Sequence, residues 1–328
     1  MRAHIRPLLV LAAAASLAST GCKSFLNRFT VNSTAPVLKA GARALDEESD
    51  MQFARDAAPA SLKTVETFLV TAPDNRDLLE VTAKGYAEFT FGFLEDDYEA
   101  TGDNDEEARS KIAARATTFY DRAYNYALRI CALDEERFPE AMKGDPAALE
   151  KLLKERFTSK EDVVGLHWAG LSMGSGINMN KDDMDRVADL PKVILLLERA
   201  HALDPSYAHY APAIALGTVF ASQGKAMGGD PDRAKKMFEE AIAGTNGQYL
   251  MAKALYARFY ATVAQDRPLF EKTLKEVLDA NAAQLPADLR LANELAKRRA
   301  ARYLARAEDW FLPPEQGAEQ GTGTGTAK

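Results

Sequence analysis

Cysteine is almost absent from this chain of 328 residues: only Cys22 and Cys131 occur, so no framework of disulfides staples the fold. Histidine is nearly as scarce, and His167, His201 and His209 follow no spacing used by zinc motifs. No apolar run reaches the roughly 20 residues that a bilayer-spanning helix needs. Positive charge is not in excess either. With 41 basic against 48 acidic side chains the net charge is −7, and such a surface repels phosphate backbones and anionic headgroups, which excludes nucleic acid as a partner. Period-two alternation is missing from about Val37 to Phe311, which leaves no pattern from which strands would form. What remains is a composition that is 47% hydrophobic, ample for a large core, arranged in repeated amphipathic stretches. The fold class that results is all-α.

The N-terminus reads as a targeting segment. Arg2 and Arg6 precede an apolar run from Leu8 to Leu17, and the small residues Ser19, Thr20 and Gly21 lead directly to Cys22. That is the charged, apolar, small-residue order of a secretory signal. A cysteine at the expected cleavage point resembles the lipobox of bacterial lipoproteins, although Ser19 stands where that motif usually has Leu and Leu17 lies two residues earlier. The alternative is an ordinary secretory signal with an incidental cysteine. The corresponding domain plan is a signal over 1–21, a lipidated tether over 22–36 beginning at Cys22, a helical domain over 37–312 and a disordered tail over 313–328, where Gly and Thr alternate and apolar residues are lacking. Removal of the signal leaves 48 acidic against 39 basic residues (41 less Arg2 and Arg6), a balance of −9. The membrane contact is then the acyl chains rather than a basic patch. The resulting location is the periplasm, anchored to a membrane, and Lys23 in place of the Asp often used for inner-membrane retention resembles an outer-membrane signal. Cys131, left without a partner in an apolar helical stripe, reads as a small core residue.

Helical periodicity is clearest where Ile112, Ala116, Phe119, Ala123, Ala127 and Ile130 recur at three and four with charged residues between them. Pro73, Pro139, Pro146, Pro205, Pro231 and Pro286 punctuate the periodic stretches. Aligning the stretches exposes an internal repeat of tetratricopeptide character. Its second-helix spacing occurs at Val193, Leu197, Ala200 and Pro205, at Ala234, Phe238, Ala241 and Asn246, and at Ser61, Val65, Phe68 and Pro73. Looser copies include Phe270, Leu274, Val277 and Ala282, and the first-helix half appears at Leu79, Thr82, Ala83, Tyr86 and at Ala213, Leu216, Gly217, Phe220. Small residues let paired helices approach while a large residue of one fills the hole in the other, and pairs must stack to bury their apolar faces. Irregular spacing between copies makes this a degenerate tetratricopeptide-like solenoid with insertions.

The segment His167-Trp168-Ala169-Gly170 through Asn178, followed by Asp189-Leu190-Pro191, Ala202-Leu203-Asp204-Pro205, Gly228-Gly229-Asp230-Pro231 and Gln265-Asp266-Arg267, resembles the T-component family of tetratricopeptide-associated TRAP transporters. The likeness runs from about residue 60 to 282. It implies a periplasmic lipoprotein with a repeat-based helical fold, a tunnel suited to apolar ligands and docking with the substrate-binding subunit of a tripartite ATP-independent transporter. It implies no enzyme activity and no cofactor, and leaves homo-oligomer formation open. The long acidic run from Asp96 to Glu107 and the Gly-Thr tail have no counterpart in that likeness; the acidic run reads as a solvated loop.

Other chemistry weighs less. Gly170-Leu171-Ser172-Met173-Gly174 has the letters of a hydrolase nucleophile elbow, but that device needs a strand turning sharply into a helix, and Val163 to Leu171 reads as a helix. Close helix contact explains Gly165, Gly170 and Gly174 better. Asn178, Asn180, Asp182, Asp183 and Asp185 cluster oxygen atoms, yet the Gly and Glu that a calcium loop requires are replaced by Asp183 and Leu190, so helix capping is the simpler role. Aromatic stripes at helical spacing, Tyr86, Phe89 and Phe93 with Thr90, and Tyr256, Phe259 and Tyr260, are either core or the wall of a concave channel. The candidate ligand-binding set is therefore Trp168, Met173, Asn178, Met179, Tyr86, Phe89, Phe93, Tyr256, Phe259 and Tyr260, for an apolar or amphiphilic organic acid. A helical-repeat scaffold for protein–protein interaction in the envelope is the second reading and a serine hydrolase the third.

Overall fold

The computed structural model describes residues 5–222, 229–281 and 284–312, with side chains from Leu26 onward. Cys22, Lys23, Gly228, Ala282 and the tail 313–328 lie outside the residues or side chains described. Fifteen α-helices succeed one another, and no strand occurs among the described residues. They are α1 (Ile5–Asp46), α2 (Met51–Thr71), α3 (Arg76–Phe89), α4 (Glu95–Ala100), α5 (Glu106–Asp134), α6 (Phe138–Ala141), α7 (Pro146–Arg156), α8 (Val163–Met179), α9 (Met184–Ala188), α10 (Leu190–Leu203), α11 (Tyr207–Ser222), α12 (Pro231–Gly244), α13 (Leu250–Leu255), α14 (Arg267–Asp279) and α15 (Arg290–Ala305). Among the described residues no helix is long and apolar enough to cross a membrane.

The boundaries have local causes. Asp50, Asn75, Asp105, Asp145, Asp183, Asp230 and Asp266 each accept a backbone N–H from the first turn of the helix they precede, satisfying donors that have no partner inside the helix. Pro146 and Pro231 open α7 and α12, where a missing N–H costs nothing. Entry to α11 is different: Ala208, His209 and Tyr210 adopt positive φ of 46°, 60° and 65°. This left-handed turn costs on the order of 1 kcal/mol per residue. It seats the Tyr210 ring directly on Gly244 of α12, where a Cβ would lie 2.0 Å from the ring carbon Cζ.

Successive helices pack side by side. α8 is sandwiched between α5 and α10 because its glycines admit close neighbours: a Cβ at Gly165 would sit 2.6 Å from the Cys131 sulfur, at Gly170 2.8 Å from Leu197, and at Gly174 3.0 Å from Val193. Cys131 is accordingly a fully buried core residue. The repeat spacing marks buried faces at Val193, Leu197 and Ala200, at Ala234, Phe238 and Ala241, and at Phe270, Leu274 and Val277. At the Ser61 copy it does so only at Val65, where Leu62 and Leu69 complete the face while Ser61 is exposed and Phe68 half-buried. Packing begins within the stretch expected as a tether: Val31 and Ala35 of α1 are buried, and Arg28 forms an ion pair with Asp74.

The two ends of the array meet. α15 packs against α1 and α2, and its arginines reach the segment around α4: Arg302 holds Asp96 at 2.6 Å and Glu99 at 2.9 Å, Arg299 donates to the Phe91 carbonyl at 2.6 Å, and Arg306 reaches Asp103 at 3.1 Å. The acidic run expected as a solvated loop is thus in part a helix, with Asp96 only 2% exposed. The basic face of α15 is the physical reason, because it supplies counter-charges from some 200 residues away in sequence. These contacts close the succession of helices around a central space.

Candidate functional site

Inside this closure lies a partly open cavity of about 1590 Å³, walled by residues of α1 to α5, α8 to α11, α13 and α15. That exceeds the roughly 300–1,000 Å³ of an ordinary small-molecule pocket. Phe89, Phe91, Phe93, Ile214, Leu255 and Leu295 give much of the wall an apolar surface.

Of the residues singled out from the sequence, Phe89, Phe93, Trp168, Asn178, Met179 and Phe259 line the cavity. Tyr86, Met173, Tyr256 and Tyr260 do not. Tyr86 is buried and donates its hydroxyl to Glu66 on α2, and Met173 packs into the core beside Leu171. Tyr256 stacks on Tyr260, ring centroids 5.1 Å apart, and donates to Glu239 on α12. Tyr86 and Met173 lie in regular helix, whereas at Tyr256 and Tyr260 the helix departs from regular geometry in a way that a periodicity of 3.6 cannot foresee. Thr90–Leu94 and Tyr256–Ala261 are π-helical turns, and in the first the Glu95 N–H bonds to the Thr90 carbonyl five residues back. Each wider turn rotates the helical segment after it relative to the segment before it. Phe91 and Phe93 thereby face the cavity past Tyr86, and Arg258 and Phe259 face it while Tyr256 and Tyr260 look toward α12. Single π-turns inside helices are frequent at functional sites.

Polar groups missed by sequence reasoning punctuate the wall. His167 is fully buried in α8, its ring 4.8 Å from Trp168 and 5.4 Å from Tyr207, and neither ring nitrogen has a hydrogen-bond partner. Burial pushes its imidazole down to about 3, so it is neutral. Trp168 donates its indole N–H to the Tyr207 hydroxyl at 3.1 Å. Lys84 projects from α3 between Asp46 at 2.7 Å and Glu88 at 3.4 Å. Glu88 reaches into the cavity with its side chain 46% exposed, and the partial loss of water there raises its carboxyl above its ordinary range, which Lys84 only partly opposes. Burial raises the Tyr249 hydroxyl likewise. Arg258, on the second π-turn, lies over Trp310 at 4.3 Å, and burial pulls its guanidinium below its ordinary range. No sequence signal marks these groups as a set, because helices far apart in the chain bring them together.

Ser172 sits in the middle of α8 with its hydroxyl buried, so no strand-to-helix elbow exists there. Asp183 caps α9 by accepting the Arg186 N–H. Among the described residues no group of three or more His, Cys, Asp or Glu is arranged to hold a metal ion. His201 pairs with Glu240 at 2.9 Å and His209 stands 3.7 Å from Asp288.

Comparison with known proteins gives two findings. The profile of the family described as TRAP transporter T-component matches residues 47–311. A protein of Treponema pallidum (strain Nichols), described as uncharacterized, is 24% identical over 271 residues, covering 82% of this chain and 83% of that relative.

Proposed function

The chain belongs to the TRAP transporter T-component family, and on that premise we propose that it is a non-enzymatic periplasmic subunit that binds an apolar or amphiphilic organic acid and docks with the transporter's substrate-binding protein. The observation that carries this reading is the large, partly open, aromatic-lined cavity bounded by the closure of α15 on the N-terminal helices. A cavity of that size and lining suits a molecule with an extended apolar body, and Trp168, Phe89, Phe93 and Phe259 with Met179 and Asn178 are its proposed contacts. Enclosure by closely packed helices favours a tetratricopeptide-like architecture bent into a ring, with the concave face turned inward.

In this reading residues 1–21 are removed, Cys22 takes the acyl chains and the acidic domain stands at the membrane surface, where it meets a soluble partner. The test is extraction and mass spectrometry of small molecules that co-purify with the protein, together with capture of a TRAP substrate-binding protein. A stoichiometric amphiphile and a captured partner support the proposal. If a partner protein or peptide binds but no small molecule enters the cavity, the scaffold reading replaces it. If neither is found, both fail.

A further inference from the structure

Cations that line the cavity are, with few exceptions, already neutralised by the protein. Lys84 is held by Asp46 and Glu88, Arg109 by Asp103, Arg186 by Asp121 and Asp183, and Arg299 by Asp96 and Glu99. Lys181 has no ion pair but is exposed. Among the described residues Arg258 is the part-buried exception: its guanidinium forms no ion pair and no hydrogen bond. Its contacts are rings, Trp310 at 4.3 Å, Phe259 at 5.4 Å and Tyr303 at 6.0 Å. Stacking occupies the face of a guanidinium and leaves the N–H donors on its edge unspent. An arginine cannot shed its proton to escape burial, so a site that keeps it charged and unpaired is unfavourable until an anion arrives.

Two further observations aim this residue at a ligand. It is carried on a π-turn, a backbone irregularity that turns Arg258 and Phe259 to the cavity while Tyr256 and Tyr260 stay on the other side. The other π-turn contributes Phe91 and Phe93 to the same wall. The nearby carboxylate of Glu99 attracts Arg258 from a distance but gives its hydrogen bonds to Arg302 at 2.9 Å and to the Tyr303 hydroxyl at 3.0 Å, so it forms no ion pair with Arg258.

We propose that Arg258 is the anion-recognising residue of the cavity, its edge donating two parallel N–H bonds to the carboxylate of a monocarboxylic acid whose apolar body lies against Phe259, Phe91 and Phe93. This inference rests on the ligand-binding reading above. One part-buried unpaired cation in a wall that also carries Glu88, Glu95 and Glu99 fits a single carboxylate and disfavours a second.

The test is calorimetric titration of the purified, lipid-stripped protein with decanoate and with decanol, for the wild type, Arg258→Gln and Arg258→Lys. The wild type is expected to bind decanoate more tightly than decanol. Arg258→Gln should weaken decanoate by about tenfold to hundredfold, the effect of a lost charge-assisted hydrogen bond, and leave decanol unchanged. Arg258→Lys should recover part of the loss. Unchanged decanol binding shows that the variant cavity is intact. If Arg258→Gln binds decanoate as the wild type does, or loses decanol equally, the assignment of Arg258 is overturned while cavity binding stands. If the wild type binds neither probe, the ligand-binding reading falls and this inference with it.

Discussion

Replacing Asp96 by Asn tests whether the ring of helices is held closed by charge. The carboxylate is 3% exposed at its side chain and receives Arg302 at 2.6 Å, Arg298 at 3.0 Å and Arg299 at 3.7 Å. Arg298 is half exposed, and its share is discounted to well under about 1 kcal/mol by solvent screening. Arg299 is another matter: it is 1% exposed, its Nε has no hydrogen-bond partner, and without Asp96 its nearest carboxylate is Glu99 at 3.9 Å. Removing one partner of a buried ion pair costs about 3–5 kcal/mol when the other charge is left uncompensated, and because Glu99 and Glu95 still attract Arg299 the loss here is about 2–3 kcal/mol. Asp96→Asn should therefore lower the unfolding free energy by that amount in urea titrations and the Tm by roughly 10 °C. Arg302→Met should cost less, because Asp96 keeps Arg298 and Arg299. The double variant should show a coupling of about 1–3 kcal/mol. An Asp96→Asn protein within about 1 kcal/mol of wild type would refute the claim that this cluster closes the ring.

Glu95 supplies a pH signature. Burial raises its carboxyl to about 7, against the opposing pull of Arg299, so the folded state holds a proton that the unfolded state releases near 4.5. The contribution is favourable below about 4.5 and is lost as pH rises toward 7; Glu95→Gln should raise stability at pH 8 by at most about 3 kcal/mol and have little effect at pH 4. A difference between variant and wild type that does not change with pH, measured by chemical denaturation, would contradict this. Gly217→Ala would place a Cβ 2.9 Å from the fully buried Phe238 ring and should destabilise by about 1–2 kcal/mol despite better helix propensity; thermal denaturation checks it. Cys22→Ser should move the protein from the membrane to the soluble fraction on cell fractionation, and continued membrane retention would end the anchor proposal.

Much of the helical layout was legible because its causes are local. Prolines and capping aspartates punctuate the chain where the helices begin, and the stripe Ala116, Ala123, Ala127 and Ile130 is fully buried as its spacing requires. Gly165, Gly170 and Gly174 mark close helix contacts for the same reason. The site was less legible. Tyr256 and Tyr260 turn toward α12 at a π-turn that breaks the 3.6-residue period, and nothing in the residues Thr90–Leu94 or Tyr256–Ala261 announces an i→i+5 bond. Arg258 resembles any surface arginine until Trp310 and Tyr303 arrive from the far end of the chain. The acidic run at Asp96 looked solvated because its counter-charges lie on α15.

The central claim is that an amphiphile occupies the cavity, and Trp168 reports on it directly. This indole lines the cavity and is 3% exposed, and Trp310 is the second tryptophan of the chain. In a Trp310→Phe background, titration with a bromine-labelled fatty acid should quench Trp168 emission saturably and at one ligand per chain. Emission that stays unchanged up to the concentration at which the acid forms micelles would contradict the account.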